Sequence, residues 1–120
     1  MSASKPVCAV CHIEVPAPDL AKAMRFYGEV FGWEIGEQLG PNYCIWHAGD
    51  LGGGFSADMA PRDDGMNVVL GVEDIPAKLE EIAKAGGAVV KGKTEIGGGY
   101  GFYALFKDPN GNRLGLWSKT

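Results

Sequence analysis

The stretch Cys8-Ala9-Val10-Cys11-His12 holds the densest group of chemically capable side chains in the sequence. Two thiols with two residues between them, followed directly by an imidazole, form the attachment pattern of a covalent c-type haem, in which the histidine is the axial iron ligand. His12 taken alone has other uses, because an imidazole is both a general base near neutral pH and a common ligand of divalent metals. Beyond this stretch such residues are sparse. His47 is the other histidine, read as partly exposed and inert beside Trp46, and Cys44 reads as a small apolar residue of the interior. Tyr43, Trp46, Tyr100, Phe102 and Trp117 are aromatic residues that either fill a core or stack on a flat ligand.

What these residues can do depends on the elements that carry them. Residues 7–15 are apolar and β-branched and stop at Pro16, the pattern of a strand followed by a turn. Strand side chains alternate, so Val10, His12 and Glu14 share one face and Cys11, Ile13 and Val15 the other. Cys8 and Cys11 then point to opposite sides, and one haem edge does not reach both. Haem attachment is therefore the remotest of three functional readings. The glycine run at 97–101 neither follows a suitable strand nor opens a helix, so it reads as a flexible hairpin turn rather than a phosphate loop, and LGGGF at 51–55 reads the same way.

Composition limits the rest. A chain of 120 residues that is 46% hydrophobic suits one compact domain, 1–120, without disulfide staples. A net charge of -4, a pI near 5.1 and scattered Lys and Arg exclude nucleic acid and anionic membrane as favoured partners. The N-terminal segment lacks the apolar run of a secretory signal, so the expected location is the cytoplasm and the three cysteines are expected as free thiols.

Shifting the sequence by 55 positions lays His12 over Asn67, Asp19 over Asp74, Met24 over Leu79 and Gly32 over Gly87. Asp19 is placed to cap a helix with Leu20, Ala23, Met24, Tyr27 and Phe31 along one side and Gly32 as its stop. Asp74 and Pro76 open a second helix with Ile75, Leu79, Ile82 and Ala83 inward and Gly86 and Gly87 at its end. After each helix the apolar period drops to two. The expected architecture is α+β: two βαβββ modules, about 7–60 and about 66–118, joined by the polar linker MAPRDDG.

With those residues in place, the paired modules resemble the vicinal oxygen chelate superfamily. The resemblance rests on HIEVPAPDLAKAMRFYGEVFGWEI near the start and KTEIGGGYGFYALFKDPNGNRLGLW near the end. That superfamily includes glyoxalase I, bleomycin-resistance proteins and extradiol dioxygenases, and the sequence looks closest to small bacterial enzymes related to lactoylglutathione lyase. The resemblance implies curled sheets forming cups, often completed by a second chain as a homodimer, and a divalent metal held by the first and last strands of each module. His12 matches the first metal position. Asn67 stands where the pattern has histidine, Gly115 where it has glutamate, and the strand around Gly52 to Phe55 offers no carboxylate.

Three readings follow. The first is a glyoxalase/bleomycin-resistance-like protein that binds a small organic molecule in a β cup through Asn67, Trp46, Tyr100, Phe102 and Trp117, with no complete family metal site and no cofactor. The second is a lyase or dioxygenase of the superfamily, with His12 as catalytic base or metal ligand and a divalent metal. The third is the haem protein.

Overall fold

The structure, a computed structural model, describes residues 10–120. Strand β1 (His12–Pro16), helix α1 (Leu20–Phe31) and strands β2 (Glu34–Gln38), β3 (Tyr43–Ala48) and β4 (Leu51–Ser56) form the first module. Strand β5 (Val69–Gly71), helix α2 (Ile75–Lys84) and strands β6 (Ala88–Glu95), β7 (Phe102–Lys107) and β8 (Arg113–Ser118) form the second. Both are βαβββ units, as the repeat predicts. The first strand starts at His12 rather than residue 7, so Val10 and Cys11 precede it and Cys8 lies outside the described residues.

The helices begin where their caps dictate. The Asp19 carboxylate accepts a hydrogen bond from the Lys22 amide at 3.1 Å, and that of Asp74 from the Ala77 amide at 3.0 Å. Gly32 closes α1 in the left-handed conformation, φ 68°. The buried stripes are Ala23, Phe26, Tyr27 and Val30 on α1 and Ile75, Leu79 and Ile82 on α2, whereas Ala83 is exposed.

Each module curls into an open four-stranded sheet, in order β1-β4-β3-β2 and β5-β8-β7-β6. The first strand of each unit runs parallel to the last, and the other pairs are antiparallel. One face of each sheet packs on the helices, and the other is open as a cup. The core lies between: Trp33 stacks on Trp46 with ring centroids 4.1 Å apart and on Tyr27 at 4.4 Å, and Phe31 meets Phe106 of the second module at 5.6 Å.

LGGGF is not a hairpin turn. It is β4, an inner strand between β1 and β3, and its glycines make room for neighbouring rings. A Cβ on Gly53 would lie 2.4 Å from the Trp46 ring, and one on Gly54 would lie 2.0 Å from the Tyr43 hydroxyl. The run at 97–101 does join β6 to β7 as a turn, with positive φ at Gly97, Gly98, Gly99 and Gly101.

The turn 108–112, DPNGN, latches the second module onto the first. The Tyr27 hydroxyl donates to Asp108 at 2.8 Å, the Asn110 amide group to the Asp19 carbonyl at 3.2 Å, and the Asn112 amide group to the Pro16 carbonyl at 2.6 Å. The Arg62 backbone donates to the Asn112 side chain, so the linker is packed against this latch.

Candidate functional site

The cup of the first module is set by strand register. His12 pairs with Gly52, Glu14 with Gly54, and across β4 these glycines oppose His47 and Ile45. His12, Glu14, Tyr43, Ile45 and His47 therefore share the open face, while Ile13, Val15, Cys44 and Trp46 turn toward the helix. Because Gly52 and Gly54 carry no side chain, rings of β3 lean across β4, His47 over Gly52 and Tyr43 over Gly54. Tyr43 does so to greatest effect: its hydroxyl lies 2.9 Å from His12 Nε2 and donates to Glu14 Oε2 at 2.9 Å, and His12 Nε2 lies 3.5 Å from the same carboxylate oxygen. Loss of solvent, then the hydrogen bond and charge of Glu14, raises the Tyr43 hydroxyl above its usual pKa of 10.0.

The cup of the second module is built on the same plan with different chemistry. Its open face carries Lys91 on β6, Tyr103, Leu105 and Lys107 on β7, Arg113, Gly115 and Trp117 on β8, and Val69 on β5. Lys91 Nζ donates to the Tyr103 hydroxyl at 2.8 Å and lies 5.2 Å from its ring centroid, a cation–π contact. Asn67 is exposed just before β5. Its side chain and that of Val69 stand over Gly115, where an added Cβ would meet Asn67 Nδ2 at 3.3 Å and Val69 Cγ2 at 3.2 Å. Gly115 therefore leaves no open space at this position, because Val69 of β5 and Asn67 before it occupy it.

The aromatic candidates divide. Trp46 is fully buried on the helix side of β3, where it belongs to the core, and its indole N–H has no hydrogen-bond partner among the described residues. Phe102 is half-buried on the core side of β7, with Lys93 Nζ 4.5 Å from its ring centroid. Trp117 faces the cup and is 40% exposed, and Tyr100 stands 72% exposed on the preceding turn. The two are joined, since Trp117 Nε1 donates to the Tyr100 carbonyl at 2.8 Å. His12 and Asn67 both line a cleft of about 1210 Å³ between the facing edges of β1 and β5, together with Glu14, Arg62, Val69 and Arg113. Trp46 borders it from the core side, whereas Tyr100, Phe102 and Trp117 do not line it.

Sequence reasoning missed Tyr43 as the partner of His12. Alternation along β3 puts Tyr43 on the face opposite Trp46, but that its ring lies over Gly54 follows from the β3–β4 register, which the fold supplies.

These residues do not fit the family's metal. His12 Nε2 is engaged by Tyr43 and Glu14, Asn67 offers only an amide, and the last strands offer no carboxylate: Gly54, paired with Glu14 as Gly115 is paired with Val69, and Gly115 itself are both covered by neighbouring side chains. The haem pattern divides as well: Cys11 is exposed ahead of β1, whereas His12 sits on the strand.

Comparison with known proteins agrees with this architecture. CFP32 of Mycobacterium bovis, a glyoxylase by name, is 26% identical over 114 residues, covering 88% of this chain and 43% of that protein, so the chain spans less than half of this relative. Among solved structures, a fosfomycin resistance protein, FosX, of Listeria monocytogenes superposes with a TM-score of 0.80 at 18% identity, covering 96% of this chain and 93% of that one. TnmS3, an antibiotic binding protein from Streptomyces, superposes with a TM-score of 0.75 at 23% identity, covering 98% of this chain and all of that one (100%). Residues 9–116, nearly the whole chain, match the Glyoxalase/Bleomycin resistance protein/Dioxygenase superfamily, and the protein belongs to that family.

Proposed function

We propose that the protein binds a small organic molecule in the cleft between β1 and β5 and does so without the family's metal. One observation carries this reading: the space at the family's ligand positions is taken by Tyr43 over Gly54 and by Asn67 and Val69 over Gly115, with the imidazole of His12 already hydrogen-bonded. In such a site His12 and Asn67 supply the polar contacts and Val69 an apolar wall. Trp117 and Tyr100 offer flat surface on the second cup, outside the cleft. Trp46 closes the cleft from the core side, and Phe102 shapes its sheet from there. TnmS3, an antibiotic binding protein by its title, has the same fold.

The functional unit in this reading is a homodimer. The radius of gyration is 15.6 Å, against about 14 Å for a compact chain of this length. Val10, Met66, Val69 and Trp117 are exposed around the cleft and the second cup. A second chain covering them completes the cups.

The experiment is thermal unfolding of metal-stripped protein with a panel of aromatic and hydroxylated small molecules, in parallel with Mn(II), Zn(II) and Ni(II). A ligand at about 100 times its Kd adds about 2.7 kcal/mol of stability and raises Tm by several degrees without metal. Stoichiometric metal retained through dialysis, with stabilisation by ligand only in its presence, overturns this reading in favour of metal-dependent lyase- or dioxygenase-type chemistry at His12.

A further inference from the structure

The contacts around His12 fix more than its position. An ionised carboxylate only accepts hydrogen bonds, so the 2.9 Å contact between Tyr43 and Glu14 Oε2 uses the single proton of the tyrosine hydroxyl. The hydroxyl oxygen then faces His12 Nε2 at 2.9 Å as an acceptor, and the Glu14 oxygen, 3.5 Å from the same nitrogen, is an acceptor too. The hydrogen bond to the tyrosine oxygen is made only when Nε2 carries the proton, and the carboxylate oxygen favours that proton on the same side of the ring. The reverse tautomer would place the Nε2 lone pair against a carboxylate and leave Tyr43 one proton for two acceptors. The arrangement is built into the sheet: Tyr43 reaches Glu14 and His12 because Gly54 leaves its ring a place, where a Cβ would lie 2.0 Å from its hydroxyl. On the other side of the ring, Nδ1 has no hydrogen-bond partner among the described residues, and His12 lines the cleft.

We propose that Tyr43 and Glu14 hold His12 as its Nε2–H tautomer, so that Nδ1 is the acceptor for a hydroxyl or N–H donor of the bound molecule. The tautomer rests on this geometry alone, whereas the assignment of the donor rests on the cleft being the binding site. Tyr43 and Glu14 are positioning residues, and the ligand class is a small molecule that presents at least one such donor to β1. The same lock takes Nε2 out of use as a metal ligand.

Long-range 1H–15N correlation of the two imidazoles, recorded where both are neutral, reads the tautomer directly, with His47 as internal reference. The expected spectrum shows His12 as Nε2–H in wild type. In Tyr43→Phe, with the fold checked by near-UV circular dichroism, the ratio of Nε2–H to Nδ1–H falls about tenfold, the size expected for one hydrogen bond to a charged network. Glu14→Gln moves the ratio in the same direction. A wild-type spectrum with Nδ1–H dominant overturns the proposal, as does a ratio unchanged in both variants. Titration with phenol and with anisole then tests the donor assignment: phenol is expected to move the His12 Nδ1 signal and anisole not to. Equal shifts from both, or none from either, overturn that assignment while the tautomer result stands on its own. A molecule that stabilises the protein without touching His12 separates failure of this inference from failure of the cleft reading.

Discussion

At Asp108 a buried carboxylate is held by four donors: the Tyr27 hydroxyl, the backbone amides of Asn110 and Asn112, and the Asn112 side chain. Such a group is stable inside a protein only while its hydrogen bonds are made. Tyr27→Phe removes one and is expected to cost roughly 1–3 kcal/mol, read as a lower urea midpoint at neutral pH. Burial first, then the charge of and hydrogen bond to Asp108, pushes the Tyr27 hydroxyl well above its usual pKa of 10.0. A raised folded-state pKa means that the unfolded chain ionises first. Tyr27 therefore stabilises the fold fully below pH 10.0 and loses that contribution as pH rises through the folded value. The urea midpoint between neutral pH and about pH 11, roughly one unit above the ordinary tyrosine pKa, is expected to fall more steeply for wild type than for Tyr27→Phe. Parallel slopes would sink this account. Residue identity made His12 legible in the sequence, because parity along a strand and a repeat both point to it. Tyr43 and Asp108 were not legible in that way, since each acts on a partner brought near only by the fold: Tyr43 on Glu14, 29 positions away, and Asp108 on Tyr27, 81 positions away.

The element on which the site depends most is β4. Its neighbours approach so closely that a methyl group is a clash with fixed atoms: a Cβ on Gly53 would lie 2.0 Å from the Ile13 carbonyl oxygen and 2.4 Å from the Trp46 ring. Gly53→Ala must displace backbone or the core tryptophan, and it is expected to cost at least about 1–3 kcal/mol, the range for overpacking a core. Gly115→Ala meets side-chain atoms of Val69 and Asn67 at 3.2–3.3 Å, which shift by tenths of an ångström. Its expected cost is under about 1.5 kcal/mol. Equal destabilisation of the two variants in chemical denaturation would show that β4 does not have the tight environment described here. Helices and their caps were readable in advance because cap and period are local properties: Asp19, Asp74 and Gly32 act within one turn of where they stand. The character of β4 was not, since three glycines read locally as a turn, and it is pairing with β1 and β3, with the Trp46 and Tyr43 rings lying over the glycines, that makes the segment a strand.

For the molecule as a whole, the repeat at 55 positions carried the architecture, because two copies of one pattern demand two similar units. It says nothing of how the cups differ. The first cup carries Glu14 and Glu34 beside His12 and His47, and the second carries Lys91, Lys107 and Arg113 beside Tyr103 and Trp117. Formal charge over the chain is only -4, so this polarity is a product of folding that composition conceals. In a homodimer, such faces attract when a cup of one chain meets the opposite cup of its partner. Sedimentation velocity is expected to give about twice the chain mass of 12.7 kDa at low salt. Raising salt from about 0.1 M to about 1 M shortens the screening length from about 10 Å to about 3 Å and is expected to shift the population toward monomer. Arg113→Glu, which reverses one charge on the second cup, is expected to weaken association at low salt and to flatten its salt dependence. A monomer at every concentration removes the dimer from the proposed function. A dimer indifferent to both salt and Arg113 places the contact on the apolar surface around Val10 and Met66 instead of between the charged faces, because burial of apolar area is not screened by ions.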